Sequence, residues 1–582
     1  MRALVPAFLC VVFVSCAQEY PLGPDSQPQA NVPHGTVTRL VLPPGKFYPG
    51  TPHNYQIYVP AQYNAAKPAP FMIFLDGNGP TVVLDNLIAK GELPPLIGIY
   101  IAPGAQPALS DSIQGRRERT FEYDNISSRF SSFLEQEVIP EVAKKYNLSK
   151  NPDDHAIEGV STGAVGAFIA AWQRPDMFHR VLSFIGTYVD MRGADTLPAM
   201  IRREEPKPIR IFLQDGKNDH LVPGQPYGTF YGGSWPINNE VMYEAFQFAG
   251  YDAKLTIGEG GHDMKQGNAI MPDALRWLWR EYPKPILAGT PAAMNEKGWD
   301  PRGQVYGVLL PEKPWQAVSG VYQSVSSPAA DKNGDVYFAD SVAGRIYKTN
   351  PDDKTSVFRE NTGGANLIRF GEKGLYAFQP GRKRLVMWSE DGKESVVATP
   401  VSLTDFVVNA KNEIYYIDSS DNSIVVIGAN GQRRPAYRGG EVGKPAALTL
   451  SPDQGYMEVG DAQSRFNWSF QIGPEGTLIN GEPFFRVDIP EGASVGGVTS
   501  ATVDSIGQVY WATSLGIQFC EQNGRCAAIL GKPERGTLGQ IAFGGKDLNW
   551  LYAVEGDKLW RRETKAKGVA AWSPVKPPNP PL

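Results

Sequence analysis

Past residue 306 the chain repeats itself. Six times a polar turn leads into a short strand that carries an aromatic residue, over 330–340, 370–377, 409–418, 451–458, 504–512 and 544–553. Tyr337, Tyr376, Tyr415, Tyr456, Tyr510 and Tyr552 mark the repeat, at steps of roughly forty residues, the length of a four-stranded blade. A unit of this size cannot bury its apolar face alone, but a ring of units can. Six copies therefore predict a six-bladed β-propeller over 306–565. The longer step from Tyr456 to Tyr510 places an insertion near 475–495. The tail, 566–582, ends in a proline-rich run and reads as unpacked.

The first half has a different grammar. From 36 to 285, strand-like segments (55–59, 71–75, 96–102, 181–185, 209–213, 254–257) alternate with helix-like ones (133–146, 240–249, 273–279). Such alternation predicts a mostly parallel sheet covered by helices. A Pro-, Gly- and Ala-rich stretch, 286–305, reads as the linker between the two halves. At 582 residues the chain is too long for one ordinary core.

The N-terminus reads as an export signal over 1–17. Arg2 precedes an apolar run that is too short to span a bilayer, followed by Ser15, Cys16 and Ala17. Cleavage after Ala17 is one outcome and lipidation at Cys16 the other; both place the chain in the periplasm or outside the cell. Residues 18–35 read as a flexible tether. Beyond the signal only Cys520 and Cys526 remain, flanking an Asn-Gly turn. A hairpin disulfide or a pair of free thiols both suit that spacing. Net charge is −5 with no basic block, which argues against nucleic acid or an anionic membrane as the main partner. No other stretch is long and apolar enough to be a transmembrane segment. The oligomeric state is not legible.

The chemistry is concentrated in Gly159-Val160-Ser161-Thr162-Gly163. An apolar strand precedes it and a small-residue helix follows, the arrangement of a nucleophile elbow. The glycines let the chain turn tightly beneath Ser161. The Thr162 N–H, at a helix N-terminus, then faces a developing oxyanion. Gly77 and Asn78, after the strand 71–75, are candidates for the second oxyanion donor. A serine nucleophile needs a base, and three histidines follow it: His179, His220 and His262. His262 sits in the glycine-rich loop Glu259-Gly260-Gly261-His262, after a strand, where a base belongs. The orienting acid should follow the strand 209–213, where Asp215 and Asp219 both stand. The one not used braces the loop. The aromatic-rich stretch 221–239 offers Tyr227, Tyr231 and Trp235 as substrate-binding residues, or is a self-packed loop.

On these residues the segment 36–285 resembles the esterases related to enterochelin esterase and to the feruloyl and acetylxylan carbohydrate esterases. The resemblance rests on Asn54–Pro60, Met72–Gly77, Phe133–Glu141, Gly159–Ala164, Gly216–Asp219 and Gly260–Asp263. It implies an α/β-hydrolase fold with Ser161, Asp219 and His262 as the catalytic triad, and so favours Asp219 over Asp215. It implies a serine esterase needing no metal or cofactor, with a small-molecule or polysaccharide ester as substrate, either carbohydrate-linked or aryl.

Residues 306–565, through Leu448-Thr449-Leu450-Ser451-Pro452-Asp453, resemble the gluconolactonase and senescence-marker-like six-bladed propellers. Active members hold a divalent metal through Glu, Asn, Asn and Asp. Those positions fall here on Ser326, Thr404, Ala446 and Thr499, a poor set for a hard cation. A register slip brings in Asp405 but not the rest. The propeller therefore reads as a recognition or scaffold module. A metal-dependent sugar lactonase acting in the propeller is the alternative.

Overall fold

The computed structural model describes residues 20–220, 231–291, 294, 296–299 and 304–579. The signal segment, Tyr227 and seven residues of the linker lie outside them. Two compact units emerge, Met1–Ile201 with Pro206–Ala292, and Arg202–Glu205 with Ala293–Leu582.

In the first unit eight strands form one sheet: β1 Thr36–Leu42, β2 His53–Val59, β3 Phe71–Phe74, β4 Ile97–Ile101, β5 His155–Val160, β6 Arg180–Phe184, β7 Arg210–Gly216 and β8 Asp252–Gly258. Their order is β1-β2-β4-β3-β5-β6-β7-β8. β2 runs antiparallel to β1 and β4, and every pairing from β4 to β8 is parallel. The central strands are apolar on both sides because helices cover both faces. Every residue of β4, β6 and β7 is buried. Adjacent residues of one strand serve opposite cores. Ile73 packs with Phe168 and Phe246 beneath the helices α2 Thr162–Gln173 and α3 Trp235–Ala249, flanked by α1 Thr81–Ala89 in the chain. Phe74 packs with Leu84 and Leu278 beneath α1 and α4 Lys265–Trp279.

Three expectations shift. Helix α3 starts at Trp235 rather than 240, with Pro236 in its first turn, where the missing N–H costs nothing. Helix α4 starts at Lys265 rather than 273 and runs through Pro272, because Met271, Leu275 and Leu278 hold its apolar face. The stretch 20–35, expected as a tether, is tied to the unit. Asn86 Nδ2 donates to the carbonyls of Asp25 and Gln27 at 2.8 and 2.9 Å, and the Asp25 carboxylate meets both Lys90 and Arg276.

The second unit is a six-bladed β-propeller of four-stranded antiparallel sheets. Its inner strands are Val325–Ala330, Leu367–Gly371, Leu403–Val408, Pro445–Leu450, Ser500–Val503 and Leu538–Gly544. Each packs beside the next, and the last beside the first, so the ring closes. The sixth blade takes its outermost strand from Gln316–Ala317, which pairs with Lys558–Glu563. Cys520 and Cys526 form a disulfide across the hairpin of the fifth blade. No helix among the described residues is long and apolar enough to cross a membrane.

The repeat needs one correction. Tyr337, Tyr376, Tyr415, Tyr510 and Tyr552 occupy the same buried place on the second strand of their blades, each three residues before a polar residue: Asp340, Gln379, Asp418, Thr513 and Glu555. In the fourth blade Asp461 fixes the same frame, and the residue three before it is Glu458. Tyr456 lies two residues earlier and is 41% exposed. The tail is also packed, contrary to its composition: Val575 N–H donates to Pro452 O at 2.8 Å, and the side chain of Gln454 to Ala571 O at 2.7 Å. Proline removes donors from that segment but leaves every carbonyl free to accept.

Candidate active site

Ser161 sits at the turn between β5 and α2 with φ 58° and ψ −123°, a conformation an L-residue holds only when its surroundings impose it. Ser161 N–H donates to Phe184 O at 2.9 Å, and Thr187 N–H to Ser161 O at 3.2 Å. Arg119 reaches Val160 O at 3.1 Å while gripping both carboxylate oxygens of Asp76 at 2.6 and 2.8 Å. Gly159 is obligatory, since a Cβ there would lie 2.0 Å from Gly163 O.

The serine hydroxyl is 2.8 Å from His262 Nε2, and His262 Nδ1 is 2.8 and 2.9 Å from the two oxygens of Asp219. Asp219 follows β7 and is fully buried; His262 follows β8 and is partly open. The donors can be assigned. A carboxylate only accepts, so Nδ1 carries the proton and Nε2 is the free base. Thr187 Oγ1 lies 3.1 Å from the serine oxygen and receives the Trp235 indole N–H at 3.2 Å. Indole can only donate, which leaves the Thr187 hydroxyl proton for Ser161 and the Ser161 proton for His262.

Asp215, the other acid, is buried. Gly216 N–H donates to one of its oxygens at 2.7 Å and Asn239 to the other at 2.9 Å. Burial, then the neighbouring Asp219, raises its pKa. His179 turns away, bonding to Asp153 and to Pro175 O. His220 stacks its ring 4.0 Å from that of His262 and 4.5 Å from Trp235. Burial, then His262, lowers its pKa. Asp219, His220 and His262 bring three potential metal donors within 4.8 Å of one another. The Asp219–His262 hydrogen bond already engages two of them.

The loop after β3 lies against the elbow: a Cβ on Gly163 would be 3.3 Å from Asp76 Oδ2 and 3.6 Å from Leu75 Cβ. Asp76 and Gly77 both adopt positive φ there, and Gln56 holds Gly77 O at 2.8 Å. Thr162 opens α2, so its N–H has no acceptor within the helix. Of the aromatic candidates, Tyr231 is exposed. Trp235 is buried and braces Thr187 rather than offering a face. Tyr227 lies outside the described residues. The roles of Thr187, Arg119 and Asp76 escape a linear reading, because no motif or spacing links them to Ser161.

The propeller channel does not fit a metal. Ala446 has no donor, Thr404 is exposed, and Ser326 Oγ is buried without a partner among the described residues. Thr499 Oγ1 donates to Leu538 O at 2.8 Å. The remaining carboxylate, Asp405, is held by the Arg369 guanidinium at 2.7 Å and by Leu448 N–H at 2.9 Å. The channel thus carries its own cation.

Comparison with known proteins finds the following likenesses. The iron(III) enterobactin esterase of Dickeya dadantii is 26% identical over 211 residues, 34% of this chain and 43% of that protein. The chain therefore spans less than half the length of that relative. Among solved structures, the enterobactin esterase of Shigella flexneri with 2,3-dihydroxy-N-benzoyl-glycine is 19% identical, with TM-score 0.34 over 45% of this chain and 63% of that one. A gluconolactonase of Xanthomonas campestris is 18% identical, with TM-score 0.38 over 43% of this chain and 90% of that one. The family model described as "Putative esterase" matches residues 48–274, the stretch that contains Ser161, Asp219 and His262.

Proposed function

We propose that the first unit is an α/β-hydrolase acting as a serine carboxylic ester hydrolase. The observation that carries this is the relay Asp219–His262–Ser161, with each donor fixed by its neighbours. Ser161 Oγ attacks the acyl carbonyl while His262 Nε2 takes its proton. Buried Asp219 holds the Nδ1–H tautomer and stabilises the imidazolium. The Thr162 N–H and a backbone N–H of Gly77 or Asn78 receive the oxyanion. His262 returns the proton to the leaving alcohol. Water then hydrolyses the acyl-enzyme by the same steps in reverse, and no metal or cofactor is required.

The substrate is an aryl or carbohydrate-linked ester. The Dickeya relative is an enterobactin esterase, which makes an ester of that kind the first substrate to try. The propeller serves recognition or scaffolding, and the N-terminal segment exports the chain.

The test is hydrolysis of an aryl acetate and of methyl ferulate by the full chain and by Ser161→Ala, each with and without EDTA. The expected rate is insensitive to EDTA and falls on the order of 10⁴-fold in the variant. A rate that survives Ser161→Ala but is lost in EDTA would move the chemistry to the propeller.

A further inference from the structure

Five blades bury a tyrosine on the second strand; the fourth buries Glu458 in its place. Glu458 is 5% exposed, and its Oε2 has no hydrogen-bond partner among the described residues. A buried carboxyl oxygen left unpaired costs stability and calls for a reason. Thr449, Glu458, Ser469 and Glu482 are successive partners across the four strands of this blade, so their side chains share one face. The row borders a cavity of about 500 Å³. That volume suits a molecule of monosaccharide size. Asp453, Gln471 and Phe484 complete its wall, and no Lys or Arg lines it among the described residues. The first blade borders a cavity of similar size, about 520 Å³, but Lys332 and Lys348 line that one. There Tyr337 fills the Glu458 position and Lys348 the Ser469 position, with the ammonium 5.4 Å from the ring centroid.

We propose that this cavity binds an organic ammonium, a primary amine on a small polar molecule, with Glu458 and Glu482 as counter-charges and Phe484 against its carbon frame. The sign follows from the lining: carboxylates, amides and aromatic carbon with no basic side chain. Depth follows from Glu458, whose free oxygen gains the partner it lacks. Burial pushes the Glu458 pKa up to about 8. An adjacent ammonium favours the ionised form, so uptake at pH 7 releases a proton. This site is independent of the ester hydrolase reading, and neither fails with the other.

The experiment is titration calorimetry of the full chain with D-glucosamine, D-glucose and calcium chloride, in two buffers of different ionisation enthalpy. Glucosamine should bind with proton release, and glucose at least tenfold more weakly. Glu458→Gln should weaken glucosamine at least tenfold. Glu458→Tyr, which restores the residue of the other blades, should abolish binding while melting no lower than the wild type. Ser161→Ala should bind normally. Equal binding of glucose and glucosamine, binding of calcium alone, no heat with glucosamine at tens of millimolar, or unchanged binding in Glu458→Tyr would each overturn the proposal.

Discussion

In the sheet-and-helix unit, Ser161, His262 and Asp219 bond to one another, and the histidine stays open to solvent. In the propeller the inward-facing polar groups bond from blade to blade. Ser327 takes Ile368 N–H at 2.8 Å, Arg369 bridges Ser327 and Asp405, Asp405 takes Leu448 N–H, and Ser500 takes Ile541 N–H at 3.1 Å. The ring closes where Ser327 N–H reaches Gln540 at 3.3 Å. Both units bury polar atoms, yet they use them differently. One arranges a proton path that ends at an accessible oxygen. The other places the same atom types in cross-links between neighbouring blades. Donor chemistry alone does not separate a site from a brace; what the last atom in the chain of hydrogen bonds faces does.

The largest effect should come from Ser161→Ala, with ester hydrolysis down on the order of 10⁴-fold and the thermal unfolding of the chain unchanged. A lowered melting temperature would mean the elbow is a brace as well. Asp405→Ala should do the reverse. It strands the buried Arg369 guanidinium and should destabilise the propeller by about 3–5 kcal/mol in denaturant unfolding, leaving the turnover of folded protein intact. A stable Asp405→Ala protein that gains a bound divalent metal would show that the ion pair merely masks a site.

Thr187→Val removes one donor behind the nucleophile and should lower kcat by about tenfold with KM little changed. No change would confine the relay to three residues. The smallest effect concerns pH. Glu458 has a folded pKa of about 8 against an ordinary carboxylate range near 4.5, so the folded state binds the extra proton between those limits. Stability from this group is present below pH 4.5 and is lost as pH rises towards 8. Glu458→Gln should therefore melt higher than wild type by a few degrees at pH 8, with the gap closing at pH 4.5. A constant gap would assign the effect to packing.

Much of both units was legible. The spacing of the tyrosines announced six blades because each strand must repeat its burial pattern to fit the same ring. The elbow is legible because Gly159, two residues before Ser161, is a steric necessity. The places where reading failed have physical causes. Tyr456 reads as the fourth repeat tyrosine because an aromatic after a polar turn looks the same two residues out of register, and only strand pairing shows that Glu458 holds the place. The tail looked unpacked because proline content tells of missing donors and says nothing about carbonyls such as Ala571 O, which a distant glutamine finds. Trp235 looked like a substrate wall because sequence gives an aromatic no direction.

The sequence by itself determined the blade count and offered a serine, a histidine and two competing acids, because periodicity and tight turns are local. Between those acids the family resemblance favours Asp219, and only the tertiary structure supplies the contact behind that preference. Asp215 and Asp219 stand four residues apart on one loop, and neither spacing nor composition says which faces His262. The fold turns Asp219 to the imidazole and Asp215 to Asn239, 24 residues further along the chain. The same holds for the cation in the propeller channel, since Arg369 and Asp405 belong to different blades and meet only when the ring closes.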